Sequence, residues 1–105
     1  MAIPRYIASG LCNFSGSEYR FLVMDRFASD VDSLVNKSVS KRLNQTAAIQ
    51  LVRQMILTLE YIHRRGYAHG DIKGANIMLK NDDEAYLVDY GLAMRFMRDN
   101  LVWKF

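Results

Sequence analysis

The chain has 105 residues, enough for one domain or part of one and too few for a second hydrophobic core. Half of its residues are apolar and only one is proline, which excludes a disordered or collagen-like chain. Fourteen Lys and Arg against eleven Asp and Glu give a net charge of +3. The basic residues are scattered (Lys41-Arg42, Arg53, Arg64-Arg65, Arg95, Arg98), which points to a solvated surface and away from a nucleic-acid ligand.

Cys12 is the only cysteine and cannot close an intramolecular disulfide, and no Cys/His set has zinc spacing. A reducing, intracellular compartment is expected. No apolar run approaches the ~20 residues of a membrane span, and Met1-Ala2-Ile3-Pro4-Arg5 does not resemble a secretory signal, so no membrane partner is expected.

In chain order, residues 7–14 read as a strand interrupted by Gly10, and residues 15–18 supply turn chemistry. Residues 19–24 are β-rich and complete a hairpin, and the apolar run from Phe21 to Met24 suits a strand buried on both faces. Residues 30–37 fit a short helix. Ala48, Leu51, Val52, Met55, Ile56, Leu59 and Ile62 then recur at spacings of three and four, which predicts a helix over residues 46–65. Asn44 or Thr46 caps its start and Gly66 takes the left-handed position beyond its end. A second apolar set (Ile49, Leu57, Tyr61) predicts contact from more than one side. Residues 77–79 and 85–88 read as two strands joined by a polar turn at residues 80–84, and residues 97–105 carry no legible pattern.

The chemistry sits between these elements. His69-Gly70-Asp71-Ile72-Lys73-Gly74-Ala75-Asn76 is followed thirteen residues after Asn76 by Asp89-Tyr90-Gly91. Each piece alone is ordinary turn or strand-exit sequence. Their order is not: long helix, Gly, His-x-Asp-x-Lys, Asn, hairpin, Asp-aromatic-Gly. Asp71 and Asn76 share one loop, and the hairpin returns the chain so that Asp89 faces the same cleft. A carboxylate and a carboxamide oxygen are hard ligands suited to Mg²⁺, which takes its other oxygens from water and phosphate. Asp71, held off the metal, can accept the proton of an incoming hydroxyl, and Lys73 can place positive charge against a transferring phosphoryl group. Gly91 offers backbone freedom after the metal ligand. His69 reads as a packed structural histidine, and His63 as a capping or packing residue at the helix end.

These residues resemble the catalytic loop and metal-binding motif of eukaryotic protein kinases. Within that group, His69-Gly70-Asp71-Ile72-Lys73, Asp89-Tyr90-Gly91-Leu92-Ala93 and Val23-Met24-Asp25-Arg26-Phe27 are similar to the vaccinia-related kinases of the casein kinase 1 group. The resemblance covers roughly residues 3–96 and implies an α+β, protein-kinase-like fold, present in part. Residues 1–24 would be small-lobe strands, 25–29 the hinge, 30–96 the large-lobe core and 97–105 an unassigned tail. It further implies a serine/threonine protein kinase that moves the γ-phosphate of ATP, with Mg²⁺, onto a protein Ser or Thr. Asp71 would be the base, Lys73 the γ-phosphate contact, and Asn76 and Asp89 the metal ligands. Met24 would be the gatekeeper, Asp25 and Phe27 would offer hinge backbone to the purine, and Met78 would floor the adenine pocket. Nucleus or cytoplasm is the implied location.

Two departures stand out. Gly70 occupies the place where most protein kinases carry an Arg that pairs with an activation-loop phosphate, which implies activity independent of that phosphorylation. The six glycines never form Gly-x-Gly-x-x-Gly, and no strand lysine precedes Ile7. The alternative to an enzyme is a truncated, non-catalytic kinase-like interaction module. Because positioning and charge supply nearly all of phosphoryl-transfer catalysis, the 105-residue polypeptide by itself is expected to transfer no phosphate. Incubation of the purified chain with radiolabelled ATP and Mg²⁺ checks this, and transfer abolished by Asp71→Asn would contradict it.

Overall fold

A computed structural model describes residues 2–81 and 84–96 of the chain. The elements run β1 (Tyr6–Phe14), β2 (Ser17–Met24), β3 (Ser29–Asp30), α1 (Val31–Lys37), α2 (Gln45–Arg64), β4 (Tyr67–Ala68), a 3-10 turn (Gly74–Asn76), β5 (Ile77–Asn81), β6 (Glu84–Leu87) and β7 (Met94–Arg95). They form three antiparallel sheets: β1-β2, β3-β5-β6 and β4-β7.

The first hairpin turns at Ser15 and Gly16, whose φ values of 50° and 80° match the right-handed strand twist. Gly10 does not interrupt β1. It pairs with Phe21, whose ring lies over it so closely that a β-carbon there would meet Phe21 Cζ at 2.8 Å. The expectation that β2 is buried on both faces is corrected, since Phe21 is 43% and Leu22 58% exposed. Among the described residues the β1-β2 sheet has no third strand, and most of its large apolar side chains are exposed.

Asp30 ends β3 and caps α1, accepting from the Ser33 amide at 3.1 Å and the Ser33 hydroxyl at 2.6 Å. The α2 helix matches its predicted span within a residue, and Asn44 is its cap, accepting from the Ala47 amide at 2.8 Å. Gly66 follows its end with φ 84°. Met55, Thr58 and Ile62 form its buried face, and Gln54 Oε1 accepts the Ala85 amide at 2.9 Å, joining the helix to β6. Of the second apolar set, Ile49 and Leu57 are 61% and 55% exposed, whereas Tyr61 is half-buried and packs against the core. The second face is therefore covered only near the end of the helix.

The core gathers Ala2, Val31, Met55, Ile62, Ile77, Ala85 and a fully buried Leu87. The Leu87 amide also donates to Ala2 O at 2.8 Å, which pins the segment before β1 to β6. Strands β5 and β6 extend through Asn81 and from Glu84, so the centre of the expected polar turn lies outside the described residues, as do residues 97–105. Among the described residues no helix is long and apolar enough to cross a membrane.

The two bonds from Ser33 hold the Asp30 carboxyl below its ordinary value of 3.8. A lowered native value contributes stability that is complete above 3.8 and is lost as pH falls through the folded value. Asp30→Asn keeps the cap acceptor and removes the titration. Thermal melts below pH 4 should therefore decline less steeply for Asp30→Asn than for the parent.

Candidate active site

The site is built where the chain leaves α2 and doubles back. After Gly66, β4 pairs with β7 (Tyr67 with Arg95, Ala68 with Met94), and the Phe96 amide donates to Gly66 O at 2.9 Å. His69 follows, only 1% exposed. Its Nε2 lies 2.8 Å from Val88 O, and its Nδ1 receives the Asp71 amide at 3.1 Å. A carbonyl only accepts and a peptide N–H only donates, so Nε2 carries the proton and Nδ1 is bare. His69 is a packed structural histidine, and its ring ties Asp71 to the residue preceding Asp89.

Asp71, Lys73 and Asn76 come together on this loop. Lys73 Nζ sits 3.6 Å from Asp71 Oδ2, a partly exposed pair worth at most about 1 kcal/mol. Asn76, buried on the 3-10 turn, donates its amide nitrogen to Asp71 O at 3.0 Å and Asp71 Oδ2 at 3.1 Å. Both partners are pure acceptors, which fixes the amide orientation and directs Asn76 Oδ1 elsewhere. The turn fits because Gly74 has no β-carbon, since one there would run into Asp32 Oδ1 on α1. Nothing in the sequence pattern marks that packing of Asp32 on the loop.

The β5-β6 hairpin brings Asp89 back as expected, with Val88 N–H donating to Asn76 O at 2.9 Å. Asp89 adopts φ 61°, a left-handed conformation uncommon for a residue with a side chain, and its Oδ1 accepts the Gly91 amide at 3.2 Å. The positive φ in this turn belongs to Asp89, and Gly91 is not among the left-handed glycines. Asp89 is exposed, and the Val88–Asn76 bond links the residue before it to the loop that carries Asn76. Among the described residues no three His, Cys, Asp or Glu cluster as a metal cage. Two hard oxygen donors fit Mg²⁺, an ion that retains waters and shares phosphate oxygens, better than an ion needing a full protein shell.

The proposed nucleotide residues are less gathered. Met24 lines a cavity of about 650 Å³ with Ile3, Leu22, Val88, Asp89 and Tyr90, whereas Asp25, Phe27 and Met78 lie outside that lining. Asp25 pairs with Arg5 at 2.9 Å, and Phe27 packs on the Tyr86 ring with centroids 5.1 Å apart. Met78 is half-buried on β5, between Asp30 and Tyr86. The Tyr90 ring meets His69 edge-on at 4.9 Å, and its buried hydroxyl has no hydrogen-bond partner among the described residues. Burial pushes that hydroxyl up to about 12. An aromatic residue is legible here in the sequence, but an orphaned hydroxyl is not, because it depends on what surrounds the ring.

A buried, neutral histidine ties the Asp71 loop to the Asp89 turn beneath a short two-stranded sheet, which is a protein-kinase-like arrangement in an α+β chain. The protein kinase domain profile matches residues 5–105, and the chain belongs to that family. It is 42% identical over 98 residues to the serine/threonine-protein kinase VRK2 of Homo sapiens, covering 91% of this chain and 19% of that protein. It is 37% identical over 101 residues to nucleosomal histone kinase 1 of Drosophila melanogaster, covering 92% and 17%. The solved structure of vaccinia related kinase 3 superposes with a TM-score of 0.80 at 28% identity, covering 90% of this chain and 28% of that one. The resemblance to the vaccinia-related kinases holds, and the chain spans less than a fifth of these two curated relatives.

An unpaired buried hydroxyl is costly, so Tyr90→Phe should raise stability by about 1 kcal/mol. In a domain of this size that is roughly 4–8 °C in melting temperature, measured by differential scanning calorimetry. Tyr90→Ala, which also strips the ring from His69, should lower it.

Proposed function

We propose that this chain supplies the base and the metal-holding groups of a serine/threonine protein kinase. The observation that carries the reading is the anchoring of the Asn76 amide on Asp71, together with the Val88–Asn76 bond that returns Asp89 to the same loop. Asp71 accepts the proton of a Ser or Thr hydroxyl on a protein substrate and aims the oxygen. Lys73, flexible and 3.6 Å from that carboxylate, offers its ammonium to the γ-phosphate of ATP. Asn76 Oδ1 and the Asp89 carboxylate would hold Mg²⁺, which neutralises phosphate charge when bound. Met24, the hinge backbone at Asp25 and Phe27, and Met78 would surround the adenine. The name of VRK2 and the family match support serine/threonine specificity.

A second reading, a non-catalytic interaction module, draws support from the open apolar surfaces of β1-β2 and α2. The two separate on ligand dependence. With Mg²⁺ present, ATP at ten times its Kd should stabilise the chain by about 1.4 kcal/mol, roughly 6–11 °C in a thermal-shift assay. EDTA or Asp89→Ala should remove the shift, and Asp71→Asn should leave it. In an active polypeptide containing this segment, Asp71→Asn should lower kcat by roughly 10²–10⁴. Partner binding indifferent to Asp89→Ala, with no shift from Mg–ATP, would favour the second reading.

A further inference from the structure

Two backbone stretches lie side by side beneath the site. Residues 66–70 carry the approach to Asp71, and residues 88–96 carry Asp89, its turn and β7. Hydrogen bonds hold them together over most of this length, from Phe96–Gly66 through the β4-β7 pairing to His69–Val88. At Gly70 the connection changes character and becomes a steric contact.

Gly70 has φ +85°, and a β-carbon there would lie 2.7 Å from Leu92 O, 3.4 Å from Leu92 C and 3.6 Å from Leu92 Cβ. The nearest obstacle is backbone, not the tip of a flexible side chain. That carbonyl belongs to a turn closed by Ala93 N–H on Tyr90 O at 3.0 Å. The same turn holds Asp89 at φ 61° with Gly91 N–H on its carboxylate. Moving Leu92 O therefore moves the turn on which Asp89 depends. On the opposite side of the contact, Gly70 is bonded directly to Asp71.

We infer that Gly70 is a positioning residue: its missing β-carbon seats the Leu92 carbonyl on the catalytic loop, and this backbone contact sets Asp89 relative to Asp71. The inference rests on the roles proposed for those two carboxylates, but the contact itself does not. At the place where most kinases carry a phosphate-pairing Arg, this chain has close-packed backbone that needs no modification to form.

Two properties of Gly70 have to be separated, its left-handed φ and its lack of a β-carbon. Gly70→Asn tolerates the φ but carries the β-carbon. A d-alanine at position 70, introduced by chemical ligation of the whole chain, tolerates the φ and projects its methyl on the other side of the α-carbon. Gly16, at φ +80° with nothing within 4 Å, is the control, because Gly16→Asn meets no obstacle.

The readouts are amide hydrogen exchange at Ala93 and Phe96, the ¹⁵N signature of the His69 ring, and Mn²⁺ affinity from paramagnetic broadening at Asn76 and Asp89. Gly70→Asn should accelerate exchange at Ala93 roughly tenfold or more and weaken Mn²⁺ binding by a similar factor. The d-alanine chain and Gly16→Asn should stay within about twofold of the parent on both measures. Parent-like behaviour of Gly70→Asn, or losses in the d-alanine chain equal to those of Gly70→Asn, would overturn the inference. If Gly70→Asn does not fold, the d-alanine chain decides alone, since parent-like exchange supports the contact and failure to fold refutes it. A parent that binds no Mn²⁺ while its exchange pattern keeps the expected order would refute the metal-site reading and leave the positioning role standing.

Discussion

The arrangement depends on the His69 ring. Its two nitrogens engage backbone groups from two distant stretches, Val88 O at 2.8 Å and Asp71 N at 3.1 Å. The ring is almost fully buried, so losing either bond would strand a polar group away from water, which is costly. Together with the β4-β7 pairing and the Val88–Asn76 bond, this side chain joins two loops into a unit with Asp71 at one end and Asp89 at the other. The Tyr90 ring, edge-on against it, extends the unit towards the cavity below β2.

Around that unit the molecule is divided in quality of packing. The hairpin β5-β6, the buried face of α2 and the segment at Ala2 share a dry core that ends on Leu87. The β1-β2 sheet and the outer face of α2 have no such partner among the described residues, and their large apolar side chains meet solvent. Such surfaces are association sites by default. The chain thus carries a well-tied catalytic-type centre on a scaffold whose upper sheet is thin. The protein kinase family match and the small share of each relative that is covered agree with that picture.

Much of the fold was legible because local rules and global packing agree here. The three-and-four periodicity placed α2, Asn44 carried the cap, and Gly66 was readable as the stop. Burial was not legible at Phe21, Leu22, Ile49 and Leu57. Apolar sequence states what a residue would bury, not whether a partner surface exists. Gly10 illustrates the same limit in reverse. It reads as an interruption, yet it is the seat for the Phe21 ring across the strand pair.

For the site, the residue types and their spacing single out Asp71, Lys73, Asn76 and Asp89 as candidates, because hard oxygen donors and a loop lysine in that order suit phosphoryl transfer. The resemblance carried by those motifs determined the family, which the protein kinase domain match bears out. Only tertiary structure decided which way the Asn76 amide points, that Asp89 and not Gly91 takes the left-handed backbone, that Tyr90 keeps an unpaired hydroxyl, and that Gly70 meets Leu92. Each of these depends on atoms that only folding brings together. Hydrogen-bond direction and steric exclusion act through space over a few ångströms, and no periodicity in one dimension records them.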